Sequence, residues 1–143
     1  DTTLDGVKLG ECYRGSWASW NKYDSRPIQN FIGKIINKDI NIDKFMFSFY
    51  KFYEEHYDKA MEMGPHIDNS PFAGLVYLND ESECRGGTGF YKHKEINILN
   101  MIESIKMKFN RLVIYPGNLY HSLYCSKGDF SDNYRLTQNF FIK

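Results

Sequence analysis

Cysteine is scarce in this chain and poorly spaced for holding a metal. Cys12, Cys84 and Cys125 are the only three in 143 residues, and no two stand as C-x-x-C. That argues against a structural zinc site, and three reduced thiols fit a cytoplasmic setting. Long apolar runs are also missing; none approaches the roughly 18 residues needed to span a bilayer. No charged stretch followed by an apolar run opens the chain, and its first residue is Asp1 rather than Met, the expectation for a trimmed or processed start. Excess charge of one sign is absent, since 18 basic residues balance 18 acidic ones. No global field therefore draws the chain to nucleic acid or to an anionic membrane. Repeats and low-complexity tracts are absent, and the length fits one domain over 1–143.

What is present is apolar and aromatic. The chain is 42% hydrophobic and 17% aromatic, enough for a real core. Leu4 to Gly10 alternates weakly and reads as a short strand. Trp17 and Trp20 follow, either as a substrate wall or as anchors of a loop or strand on the core. Ser25-Arg26-Pro27 is a helix start, with Ser as N-cap and Pro just inside. Ile28, Phe31, Ile32, Ile35 and Ile36 then recur at helical spacing up to Asn37-Lys38-Asp39. Residues 43–53 are dense in aromatics and read as a strand; Tyr50 or Tyr53 either reaches a pocket or packs in the core. Glu54 to Met63 reads as a short helix or a loop over a site entrance, and His56 within it as a surface histidine.

From residue 63 the character changes to short strands and turns. Phe72 to Leu78 is an apolar run closed by Asn79-Asp80. Arg85-Gly86-Gly87-Thr88-Gly89-Phe90-Tyr91 joins a tight glycine turn to a strand. Phe109 to Tyr115 is stopped by Pro116-Gly117-Asn118, Leu119 to Cys125 follows, and Tyr134 to Ile142 closes the chain. This pattern suggests a sandwich or barrel. Glu95 to Lys108 carries Ile98, Met101, Ile102 and Ile105 at helical spacing and reads as an inserted helix or a long excursion.

The chemistry centres on Gly64-Pro65-His66-Ile67-Asp68. On an extended backbone, side chains at i and i+2 share a face, so His66 and Asp68 converge. His121 offers a third ligand. Two histidines and one carboxylate fill one face of an octahedral metal and leave positions open. Taken singly, each residue also has a bland reading: His-x-Asp as a solvated strand, His121 as a core histidine, Arg135 as a surface cation paired with Asp132. His93, between Lys92 and Lys94, reads as solvated surface. Cys125, four residues after His121, lies too far along a strand to join the ligands.

In sequence order, His66-Ile67-Asp68, Val76-Tyr77-Leu78-Asn79-Asp80, Gly86-Gly87-Thr88-Gly89-Phe90-Tyr91, Pro116-Gly117-Asn118 with His121, and Arg135-Leu136-Thr137 resemble the Fe(II)- and 2-oxoglutarate-dependent oxygenases, especially their prolyl-hydroxylase-like branch. The resemblance covers residues 63–143. It implies a mainly β fold with supporting helices: a double-stranded β-helix, or jelly-roll, cupin-like barrel, over 63–143, with 1–62 as N-terminal support. It implies His66, Asp68 and His121 as Fe(II) ligands and Arg135 on the distal carboxylate of 2-oxoglutarate, where a planar guanidinium suits a carboxylate. Thr137 adds a hydroxyl. Either Val76 or Tyr77 faces inward, and one residue of register decides whether Tyr77 reaches the co-substrate. Arg85 and Tyr91 become candidate substrate contacts, with Tyr124 a further wall. The implied activity consumes O2 and 2-oxoglutarate, releases succinate and CO2, and hydroxylates a small molecule or a protein side chain; a carboxylate at Asp68 argues against halogenation. Nucleic acid and membrane are not expected partners. The alternatives are a cupin-like metalloprotein without 2-oxoglutarate chemistry and a non-catalytic binding module.

Overall fold

The computed structural model describes residues 3–9, 12–19, 26–51, 53–62 and 64–143, with the backbone alone for 3–9, 12–19, 43–45 and 59. Ser25 and Trp20, singled out above, lie outside the described residues, as does the Trp17 side chain.

Two hairpin strands, β1 (Thr3–Leu9) and β2 (Cys12–Ser19), precede helix α1 (Arg26–Ile36). The helix stops where Asn37 turns left-handed at φ 54° and the Lys38 N–H reaches back to the Gly33 carbonyl at 3.0 Å. That is the usual closure of a helix C-terminus, and Asn tolerates the conformation better than branched residues. Strand β3 (Ile42–Lys51) follows, then a 3-10 turn (Glu54–His56) and a one-turn helix α2 (Tyr57–Met61). So the segment after residue 53 is the short helix, and His56 within it is half-buried rather than on the open surface.

The remaining strands are β4 (Phe72–Tyr77), β5 (Gly87–Tyr91), β6 (Met101–Lys106), β7 (Leu112–Pro116), β8 (Tyr120–Tyr124) and β9 (Arg135–Ile142). Among the described residues they form a six-stranded sheet in the order β1-β2-β3-β9-β4-β7 and a three-stranded sheet in the order β6-β5-β8, with antiparallel pairing throughout. Two facing antiparallel sheets in this order make the expected double-stranded β-helix.

Helical spacing over 95–108 misled. Met101–Lys106 is strand β6, paired with β5, and Ile98 and Ile102 are exposed. Ladder hydrogen bonds to β5 outweigh the weak periodicity of a short apolar series. The Leu99 N–H bonds the Asn97 side chain at 2.9 Å, an Asx turn that closes the hairpin.

Alternation on β4 separates two cores. Ala73, Leu75 and Tyr77 join Phe90, Val113 and Tyr115 between the sheets. Val76 and Phe72 face the other way, onto a layer of Ile32, Ile42, Phe140 and Ile142 beneath α1. The register question is thereby answered: Tyr77 is the inward residue, with no exposed surface. The same alternation on β9 sends Phe140 and Ile142 toward the helix and buries Arg135 and Thr137 on the side of Tyr77, whose register partner is Thr137.

Candidate metal centre

His66 and Asp68 do not lie on a regular strand. His66 makes an isolated antiparallel bridge with His121. Its N–H bonds the His121 carbonyl at 3.0 Å, and the His121 N–H bonds the His66 carbonyl at 2.9 Å. Residues directly opposite in such a pair carry their side chains on one face, and the two imidazoles stand 4.4 Å apart between centroids. Asp68 is set by a second contact, its N–H to the Gly117 carbonyl at 2.8 Å. One ligand atom from each of His66, Asp68 and His121 lies within 4.8 Å of the other two.

Gly117 is needed for that placement. A methyl there would overlap the carbonyl oxygen of Ser70 and press on that of Asp68. The Pro-Gly-Asn turn therefore does more than end β7; its missing side chain lets the Asp68 segment lie against it. The Pro-Gly-Asn signal marks the turn, while the contact with Ser70 depends on the fold.

The protonation pattern suits a cation. His121 Nδ1 is 2.9 Å from the Leu119 carbonyl oxygen. A carbonyl only accepts, so Nδ1 carries the proton. Burial lowers the His121 pKa, as does the neighbouring His66, against the opposing pull of the Leu119 carbonyl and Asp68. The neutral ring then turns the lone pair of Nε2 toward Asp68 Oδ2, 3.5 Å away. Two facing acceptors with no hydrogen between them are the donor set a divalent ion takes, so the residues fit an Fe(II) site.

Arg135 occupies the interior next to this group. It is 6% exposed, which removes the reading as a surface cation. Its Nη2 makes two long contacts of 3.4 Å, to the Gly87 carbonyl and to Thr88 Oγ1, and its buried Nε has no hydrogen-bond partner among the described residues. No carboxylate among the described residues pairs with it. A buried guanidinium normally finds an anion, and a carboxylate from outside the chain would fit here. Its guanidinium carbon lies 5.5 Å from the centre of the Tyr77 ring, a cation–π support. The Tyr77 hydroxyl is committed elsewhere, 2.7 Å from Thr88 Oγ1 and 3.3 Å from the Ile105 carbonyl. Tyr77 thus contacts Arg135 and Thr88. Tyr50 of β3 is the register partner of Arg135, while Tyr53 lies beyond the strand end and is 38% exposed.

Tyr115 links the two halves of the site. Its ring is 4.6 Å from that of His121 and 5.2 Å from that of Phe90. Burial pushes its phenol pKa up, and the Asp68 carboxylate adds to the rise while Arg135 opposes it. One phenol therefore feels both the Asp68 carboxylate and the Arg135 guanidinium.

The other candidates fall elsewhere. Thr88 and Phe90 face Arg135 and His121, so the odd positions of β5 face away. The Tyr91 ring lies across Gly89 on that opposite side, and strand alternation keeps it off the Arg135–His121 face. Arg85 is exposed, and its Nη1 is tied back to the carbonyls of Ser82 and Cys84 at 2.9 Å each. Tyr124 is 40% exposed, and alternation on β8 turns it away from His121. Cys125 is buried and stands apart from the three ligands. Thr88, between two glycines, instead contacts Tyr77 and Arg135.

A family of unknown function (DUF6445) matches residues 94–142, and no curated protein matches the chain. Among solved structures, an oxidoreductase of the 2OG-Fe(II) oxygenase family from Burkholderia pseudomallei superposes with a TM-score of 0.60 at 12% identity, over 99% of this chain and 73% of that one. The non-heme alpha ketoglutarate dependent epimerase SnoN of nogalamycin biosynthesis gives 0.65 at 13% identity, over 99% and 66%. The Fe(II)/(alpha)ketoglutarate-dependent dioxygenase TqaL gives 0.52 at 14%, over 93% and 61%. The chain thus spans about two thirds of the length of these three. No helix among the described residues is long and apolar enough to cross a membrane. The chain has the double-stranded β-helix fold of the 2OG-Fe(II) oxygenases.

Proposed function

We propose that this chain is an Fe(II)- and 2-oxoglutarate-dependent dioxygenase of the prolyl-hydroxylase-like branch, acting as a single domain over 1–143 and hydroxylating a small molecule or a protein side chain in the cytoplasm. The observation that carries the reading is the pairing inside one barrel of a metal-competent His66–Asp68–His121 group with a buried Arg135 that has no carboxylate partner among the described residues and an unpartnered Nε. A cupin-like metalloprotein has no use for the second half of that pair.

His66, Asp68 and His121 hold the iron, and Arg135 holds the far carboxylate of 2-oxoglutarate, with Thr137 adding a hydroxyl. When bound, iron and 2-oxoglutarate supply the oxidising chemistry with O2, releasing succinate and CO2. The Leu119 carbonyl keeps the proton on His121 Nδ1 and so keeps Nε2 available. Tyr77 supports the guanidinium from below. Phe90 and Tyr115 wall the space beside His121 and exclude water from it.

The test is succinate release from 2-oxoglutarate by the Fe(II)-loaded protein, screened across small-molecule and peptide substrates. Metal binding without any 2-oxoglutarate binding would move the reading to a cupin-like metalloprotein. Loss of both would leave a non-catalytic module.

A further inference from the structure

Arg135 is the first residue of β9, directly after the 125–134 connection. A residue at a strand end is poorly placed to hold a long side chain in one position. Its neighbour β4 ends at Tyr77, and the last rung of that ladder is Tyr77 against Thr137. One further backbone bond joins the Leu78 N–H to the Leu136 carbonyl at 3.1 Å. Beyond it the chain leaves for a 3-10 turn over Glu81–Glu83. The Tyr134 carbonyl and the Leu136 N–H, on either side of Arg135, then have no strand to pair with on this side among the described residues.

A side chain takes the place of that strand. Asn79 Nδ2 donates to the Tyr134 carbonyl at 2.6 Å, and the Leu136 N–H donates to Asn79 Oδ1 at 2.7 Å. Nδ2 also bonds Glu83 Oε2 at 3.2 Å. An amide has one donor end and one acceptor end, and the three contacts match only one orientation. Asn79 is 2% exposed, so these bonds are shielded from water and costly to lose. On the far side of Arg135, Tyr50 continues the ladder with β3.

We propose that Asn79 is the positioning residue of the co-substrate anchor: by bracketing Arg135 through the Tyr134 carbonyl and the Leu136 N–H, it fixes where the guanidinium presents itself to a bound dicarboxylate. This rests on the reading of Arg135 as the 2-oxoglutarate anchor. An aspartate at this place lacks the donor end of the clamp, and a serine hydroxyl is too short to reach both groups.

The experiment measures two affinities by calorimetry in the full chain: that of Mn(II) alone, and that of 2-oxoglutarate for the Mn(II)-loaded protein. Asn79→Ala removes the clamp. Asn79→Asp keeps the volume and the bond from Leu136 but sets a carboxylate against the Tyr134 carbonyl and Glu83. Asn79→Asp combined with Glu83→Gln restores a donor to that carboxylate. We expect the 2-oxoglutarate Kd to rise about tenfold or more in both single variants, on the scale of a small misplacement of a binding group. The Mn(II) Kd should stay within about twofold of the parent's, and the double variant should recover part of the loss. If Asn79→Ala does not fold, the two volume-conserving variants decide. An unchanged 2-oxoglutarate Kd in the single variants, with the parent binding normally, overturns the role of Asn79 alone. A parallel loss of Mn(II) and 2-oxoglutarate binding overturns it too, by showing general damage. Failure of the Mn(II)-loaded parent to bind 2-oxoglutarate overturns the functional reading, and the inference with it.

Discussion

His121 Nε2 and Asp68 Oδ2 face each other across 3.5 Å with no proton to share, because the Leu119 carbonyl takes the one the imidazole carries. An acceptor pair of that kind repels until a cation enters. Removing either member should therefore cost metal binding far more than it costs the fold. Asp68→Ala and His121→Ala are each expected to weaken Mn(II) binding by about 100-fold or more, since a ligand is lost outright. Saturating metal should raise the parent's stability by about 2.7 kcal/mol at 100 times its Kd and leave these variants unmoved. A parent whose melting temperature ignores Mn(II) would count against the site.

Acid should destabilise the metal-free protein through His121. Its folded pKa is lowered by burial, so on acidification the unfolded chain takes the proton first, near the ordinary value of 6.5. Stability is then full above that value and is lost as pH falls below it, by at most about 1.4 kcal/mol per pH unit from this group. Urea titrations from pH 7.5 to 5.5 should show the loss in the parent and a smaller one in His121→Gln. Equal slopes in the two proteins would show that burial does not hold the ring neutral.

Gly117→Ala tests the packing that places Asp68. The added methyl overlaps the Ser70 carbonyl, so either β7 or the 68–71 segment must move. Overpacking of this kind costs about 1–3 kcal/mol, and the displaced Asp68 should weaken Mn(II) binding as well. Normal metal affinity at reduced stability would mean that the strain is absorbed on the β7 side.

Arg135→Ala should weaken 2-oxoglutarate binding by roughly 2–5 kcal/mol, the scale for truncating one partner of a buried charge pair. Mn(II) affinity should persist, because Arg135 is not one of the three candidate ligands. Titration of 2-oxoglutarate into the Mn(II)-loaded variant gives the answer directly; an unaltered affinity would place the anchor elsewhere.

Thiol chemistry offers a control on the interior. Burial first, then the nearby Asp129 carboxylate, pushes the Cys125 thiol up to about 12, against a smaller opposing effect of Arg135. Burial also raises the pKa of the Cys84 thiol. At pH 8 neither is a ready thiolate. Mass spectrometry after iodoacetamide should find Cys125 unmodified in the native protein and modified in urea. Fast native labelling would show that the interior around Arg135 opens readily.

Much of the site was legible because its chemistry sits in short, ordered signals. His66 and Asp68 are two residues apart, and Pro116-Gly117-Asn118 announces the turn before His121. Arg135 and Thr137 share a face by period two. The turn residues and apolar runs likewise marked β4, β5, β7, β8 and β9. The misreading over 95–108 has the opposite cause: a few isoleucines fit a helix and a strand equally well, and only the ladder with β5 separates them. Tyr91 was misplaced for a related reason, since the inward face of β5 is set by the sheet that covers it.

The residues alone determined which ligands and which cation were available, because metal and carboxylate chemistry admit few side chains and those stand in recognisable order. Tertiary structure decided which of them meet. His66 finds His121 across 55 positions only through an antiparallel bridge, Tyr77 rather than Val76 turns inward because the helix layer claims the other face, and Asn79 reaches both sides of Arg135 only once β4 ends beside β9. Contacts of that range depend on strand register and on where each strand stops, and neither is written in the local pattern of a chain.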